Sequence, residues 1–276
     1  MCKFRNISRI LGFVILLIAP SAYTLGRVND TVYITPKEVN TAVLKQGVHR
    51  YLVYFKMGEQ ATRTQSQFWT REISPVVYRG RASIQITQEW EDKDSVLHVV
   101  KSIADAETFQ PFYHYTWWKV QASRNSPEKI VTETEVDFLE NSVQVNGKYL
   151  SDTVSDQRLN AVWKAFKSSQ GEYFLNWHLD LETFPILPYR SGVTFGIPYY
   201  DPGTGSVLKH VFYKVSGSDT LTGYDGQLID CWVLVHESPG NKETFYISKQ
   251  TREVLKLVQE FGKNMFRYKI KFAFSE

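Results

Sequence analysis

The clearest period-two pattern lies at the end of the chain, where Phe266, Tyr268, Ile270, Phe272 and Phe274 alternate with Arg267, Lys269 and Lys271. In a pleated strand, alternate side chains leave opposite faces. The pattern therefore predicts a strand with its aromatics buried and its cations in water. Upstream, Val211–Val215, Leu228–His236, Thr244–Ile247 and Val254–Glu260 read as four more strands. Gly223-Tyr224-Asp225-Gly226 and Ser248-Lys249-Gln250-Thr251 supply turns at the spacing of an antiparallel meander. The first half repeats the theme. Tyr51–Phe55, Gln67–Ile73, Val76–Tyr78, Ser83–Trp90, Val96–Ile103, Phe112–Lys119 and Ile130–Leu139 all have strand length and strand composition. In the last of these, Glu133, Glu135 and Asp137 are expected to face water. Glu91-Asp92-Lys93-Asp94 reads as a solvated turn, Asn125-Ser126-Pro127 as a break, and Asn146-Gly147 as the strongest hairpin signal in the chain.

Two stretches depart from this rhythm. Asp156 is a plausible N-cap, and Leu159, Val162, Trp163 and Phe166 follow at helical spacing, so one amphipathic helix is predicted up to Ser168-Ser169-Gln170-Gly171. Then Glu172–Pro202 opens as a strand over Tyr173–Leu181 and meets Pro185, Pro188, Pro198 and Pro202. Proline cannot donate to a ladder, so this stretch is expected to cross an edge or an opening of the sheet. Ten or more strands and one helix predict a mostly β fold: a large curved antiparallel sheet, a half-barrel, with the helix covering its concave face. No repeat or linker divides the chain, so residues 23–276 are read as one β-rich domain.

The first 22 residues are read as a cleavable signal peptide. Lys3, Arg5 and Arg9 make a basic start, Ile10–Ile18 is an apolar core too short to span a membrane, and Ala19-Pro20-Ser21-Ala22 offers cleavage after Ser21 or Ala22. Cys2 precedes the apolar core, so it is not a lipid-bearing cysteine at a cleavage site. The expected location is the periplasm, with no transmembrane segment in the mature chain. The segment also carries the charge excess. The whole chain has 32 Lys+Arg against 29 Asp+Glu, and removing three cations leaves a balanced protein, which argues against nucleic acid as a partner. Cys231 is then the one remaining cysteine. It alternates with Ile229, Val233 and Val235, which marks it as a core residue.

Candidate chemistry is sparse. On a strand, His178, Asp180 and Glu182 would share one face, a set suited to a divalent metal or to acid–base work. The competing reading is a solvated strand face opposite Trp177, Leu179 and Leu181. Tyr199-Tyr200-Asp201-Pro202-Gly203-Thr204-Gly205 fits a turn better than a phosphate cradle, and no nucleophile elbow, His-Glu-x-x-His or Cys-x-x-Cys occurs. No cofactor is implied. The aromatic content, 14% of residues, leaves a third possibility. Trp90, Tyr113, Tyr115, Trp117, Trp163, Trp177, Tyr199 and Tyr200 could converge on the concave face and line an apolar pocket, or could simply fill the core.

The order of features resembles the LolA/LolB-like periplasmic lipoprotein carriers, and more closely their uncharacterised periplasmic relatives in Bacteroidetes. Beside the signal peptide, the residues that carry this are the runs 102–111 (SIADAETFQP) and 180–188 (DLETFPILP), then 215–218 (VSGS), 229–232 (IDCW) and 244–249 (TFYISK). The resemblance covers about residues 45–274. It implies a half-barrel that holds a lipid, a lipoprotein acyl chain or another apolar ligand on its concave face, without catalysis. The alternatives are an envelope hydrolase centred on His178, Asp180 and Glu182, or a non-catalytic envelope assembly protein that offers its sheet edges.

Overall fold

The computed structural model describes residues 30–121, 128–172, 175–223, 225–262 and 264–272. The proposed signal peptide, the 125–127 break, Tyr173, Tyr224 and Phe274 lie outside them. The strands are β1 (Thr31–Tyr33), β2 (Gly47–Met57), β3 (Thr64–Tyr78), β4 (Arg81–Glu91), β5 (Val96–Asp105), β6 (Pro111–Gln121), β7 (Lys129–Asp137), β8 (Ser142–Val145) and β9 (Lys148–Tyr149) in the first half. The second half adds β10 (Thr194–Tyr200), β11 (Val207–Thr222), β12 (Leu228–Ser238), β13 (Asn241–Ser248), β14 (Val254–Phe261) and β15 (Met265–Lys271). All fifteen belong to one curved sheet in the order β1-β10-β11-β12-β13-β14-β15-β2-β3-β4-β5-β6-β7-β8-β9. Every neighbouring pair is antiparallel except β1 with β10. The two halves are joined by the last strand: β15 pairs with β2, Met265 opposite Met57 through Lys271 opposite Tyr51.

Turn chemistry explains the meanders. Asn146 and Gly147 both take positive φ, at 51° and 73°, and so make the expected tight hairpin between β8 and β9. Asp92 caps its own turn by accepting from the amides of Asp94 and Ser95 at 2.8 Å. Pro75 sits within the long strand β3 rather than between two strands. Cys231 is buried as expected, and burial pushes its thiol up to about 11.

One face assignment is reversed. In β15 the cations point inward and the aromatics outward. Lys269 is 1% exposed and packs over Trp69, whereas Phe272 is 40% exposed. Tyr268 lies on the outer face, stacked on Tyr54. Alternation gives the period of a strand but not the sign of its faces, and here buried carboxylates inside the sheet decide the sign. Asp137, expected in water, keeps its outer face opposite Tyr113 but is buried there. It receives Arg79 at 2.7 Å and accepts from the amides of Leu139 and Glu140.

The predicted helix is α1 (Gln157–Ser169), with the Asp156 carboxylate accepting from Leu159 N at 2.8 Å. It covers the gap between the two ends of the sheet, where Val162, Trp163, Ala165 and Phe166 pack on Val136, Val143, Val145 and Tyr200. The β10–β11 turn reaches across the same gap. Gly203 (φ +84°) lies so close to β7 that an added Cβ would meet Thr134 Oγ1 at 2.6 Å. The sheet is strongly curved but not closed by hydrogen bonds. Its concave face is filled by the proline-rich stretch, because residues 175–187 are buried throughout except for half-buried Trp177. Among the described residues no helix is long and apolar enough to cross a membrane.

Candidate functional site

A segment running through the interior without a ladder partner must have its carbonyls satisfied by side chains. Residues 175–187 meet this requirement with donors from strands β3 and β4, from the β13–β14 turn and from the backbone at Asn40. His178 O accepts from Gln88 Nε2 of β4 at 2.7 Å and from Arg71 Nη2 of β3. Leu187 O accepts from Arg252 Nη2, and Ile186 O from the amide of Asn40 at 2.9 Å. Local turns supply the rest, with His178 N donating to Asn176 Oδ1 and Thr183 N to Leu179 O. The apolar side chains Leu179, Leu181, Phe184, Ile186 and Leu187 join the main core, and Phe184 lies 4.7 Å from Tyr213 and 4.6 Å from Phe245 between ring centres.

The carboxylates of this plug meet the cations of the sheet. Asp180 and Glu182 lie on a single helical turn, α2 (Asp180–Thr183), not on a strand. The two do not share a centre. Glu182 binds the Arg71 guanidinium through Nε at 2.7 Å and through Nη2, and Asp180 binds Lys269. Both pairs are almost wholly buried. Burial pulls Lys269 down to about 8 while Asp180 pulls it the other way. Burial likewise opposes the charge on Arg71, and Glu182 outweighs it, so the guanidinium stays charged. This partnership is why β15 turns its cations inward.

His178 faces elsewhere. Its ring centre lies 5.0 Å from that of His98 on β5 and 5.1 Å from that of His114 on β6. His98 Nδ1 meets Trp117 O at 2.8 Å, and His114 Nδ1 meets Ser102 Oγ at 2.8 Å. The Nε2 atoms of both rings, and both nitrogens of His178, are buried and have no hydrogen-bond partner among the described residues. Burial holds His98 and His114 down at about 3 and His178 well below its ordinary value, so the three rings are neutral at ordinary pH. Around them stands an aromatic wall. Trp90 stacks on Trp69 at 3.7 Å and meets Trp118 and Trp177 edge-on, and Trp177 stacks on His178 at 4.1 Å. The Trp177 indole also donates to Asp201 Oδ1 at 2.8 Å, tying the plug to the turn after β10. Burial raises Asp201 to about 6.

The expected His178–Asp180–Glu182 constellation is therefore dispersed: one member joins two other histidines and two are neutralised by cations. Among the described residues no group of His, Cys, Asp and Glu is arranged to hold a metal ion. The aromatic set divides as well. Trp90 and Trp177 meet on the inner face. Tyr115 and Trp117 are paired with Lys101 and Val99 on the outer face of β5–β6, and neighbouring Trp118 takes the inward place. Tyr113 is on that same outer face. Trp163 and Tyr200 belong to the helix cluster, with Trp163 Nε1 donating to Asp152 at 2.7 Å. Tyr199 borders a separate surface cleft of about 250 Å³, also lined by Ser168, Glu172, Leu208 and Lys209. Missed from the sequence were Arg71, Gln88, His98, His114 and Lys269. Each is a polar residue at an inward position of its strand, and that parity was the one available signal.

A family model described as "Protein of unknown function (DUF3108)" matches residues 50–271. No curated protein matches the chain. Among solved structures, one match is a crystal structure titled as a beta-barrel-like protein of domain of unknown function DUF1849 from Brucella abortus. It is 8% identical, aligned over 83% of this chain and 98% of that one, with a TM-score of 0.38. Neither match names the LolA/LolB-like group.

Proposed function

Since the chain belongs to the DUF3108 family, which is described as of unknown function, we propose its role from its geometry: an exported, non-catalytic binding protein of the carrier type that takes an apolar ligand on its inner face. One observation carries this reading. The space that an apolar ligand would fill in a curved sheet of this kind is held by the protein's own residues 175–187, which present Leu179, Leu181, Phe184, Ile186 and Leu187 to the strands. A covalently attached segment that mimics a ligand can be exchanged for one. Its side-chain fixings from the surrounding elements come chiefly from Arg71, Gln88, Arg252 and Lys269.

A lipid or a lipoprotein acyl chain has the size and polarity to replace those five side chains. Export and a periplasmic site of action belong to the same proposal and rest on residues 1–22 alone. The test is titration of the purified protein with a fluorescent fatty acid, read by quenching of Trp90 and Trp177. Saturable uptake that unlabelled fatty acid displaces is expected. A signal that neither saturates nor competes would overturn the reading. The hydrolase alternative loses its basis, because Asp180 and Glu182 are each committed to a buried cation.

A further inference from the structure

The inner face carries a cluster of three histidines whose ring nitrogens are mostly left without partners. His98, His114 and His178 come from β5, β6 and the plug, lie at 5.0 and 5.1 Å between ring centres, and keep four nitrogens buried without a partner among the described residues. Burying unpaired polar atoms costs stability, and three apolar rings would fill the same space at less cost. We propose that this cluster is an acid-operated latch: protonation of His98, His114 and His178 expels residues 175–187 from the interior and uncovers the inner face. The proposal deepens the binding role above by giving that site its regulation, and it rests on that reading only for what the uncovered face then binds.

The charges surrounding the cluster fix the direction. The seated plug holds His178 beside His98 and His114, and Arg71 of β3 and Lys269 of β15 both act on it as further cations. The nearby acids, Glu182 and Asp180, are already engaged by those two cations. A proton on any ring therefore adds a positive charge to a buried site that has no unengaged anion to receive it. Once residues 175–187 leave, the rings meet water and bind protons near the ordinary value of about 6.5. Acid thus favours the released state at every pH between that value and about 3, where the seated His98 and His114 rings titrate. Asp201 works in the opposite sense. Seated, burial keeps a proton on it up to about pH 6 although the Trp177 hydrogen bond favours the ionised form, and exposure to water on release lets it ionise. Each released ring is half-protonated only near 6.5, so with up to three protons taken up and at most one given back the release constant should rise by about 20-fold between pH 7 and 6 and by about 100-fold between pH 6 and 5.

Hydrogen exchange of the intact protein, followed by mass spectrometry from pH 7 to pH 5 and corrected for intrinsic rates, tests this without any ligand. Peptides covering residues 175–187 should lose protection steeply while β12–β15 stay protected. His98→Asn and His114→Gln should each flatten the dependence, by about threefold between pH 7 and 6 and about eightfold between pH 6 and 5, and either variant alone suffices if the other fails to fold. A wild-type dependence of tenfold per unit or less overturns the latch, as does loss of protection in the plug and the strands together. Fatty-acid binding at pH 5 separates the two proposals. Release of the plug without uptake leaves the latch standing and removes the apolar-ligand reading, whereas uptake at pH 7 with no release removes the latch alone.

Discussion

Lys269 illustrates what one buried charge is worth. It is 1% exposed, and its ammonium has Asp180 as its counter-ion inside the sheet. Lys269→Met should destabilise the fold by about 3–5 kcal/mol, because it leaves Asp180 as a buried anion without a partner. Lys269→Met combined with Asp180→Leu should recover most of that loss. Urea denaturation of the two variants beside the parent checks both statements, and equal losses would mean that the pair is not coupled. Arg71→Lys keeps the charge but loses the fork that reaches Glu182 and His178 O together, so a measurable loss is expected despite the conserved sign. At Gly203 the conflict is steric. Gly203→Ala puts a methyl against Thr134 and strains a positive φ, so it should lower the unfolding midpoint, whereas alanine at Gly147, which shares a positive φ but faces open space, meets no such contact.

At the scale of elements, strand positions and turns were legible, and the sign of the β15 faces was not. Asn146-Gly147, the Asp156 cap and the meander from β11 to β15 follow from local rules that no distant residue can change. The inward Lys269 of β15 depends on Asp180, which stands far away in sequence on a turn that alternation misread as a strand. The same limit explains Tyr115 and Trp117. Residues 112–119 are aromatic on both faces, so composition alone could not say that Trp118 is the inward member. Substitution separates the faces: Trp90→Ala should cost about 3–5 kcal/mol, and Tyr115→Ser little, as judged by urea midpoints. The histidines give strands β5 and β6 a pH signature of their own. With folded values near 3 against about 6.5 unfolded, the unfolded chain binds more protons below pH 6.5, so stability falls as pH falls. At pH 5 each of His98 and His114 should cost about 2 kcal/mol. Replacing either should make the urea midpoint less sensitive to acid.

For the whole molecule, the sequence conveyed a curved antiparallel sheet with one long helix but not what occupies its hollow. A run such as Leu179–Leu187 has the composition of any core segment. Only the closure of β3, β4, β5, β6, β13 and β15 around it shows that it stands where a guest could stand. The pairing of β15 with β2 has a different consequence, for the order in which the protein can come into being. Leu52 waits for Ile270, which lies at the far end of the described chain. Until that last strand arrives, two half-sheets with raw edges are all that can form, and the interior cannot close. A chain built this way stays pliable during synthesis until β15 has been made, and only then can it become committed. Removing residues 265–276 should leave a product that a protease digests throughout, not a trimmed barrel with one strand fewer.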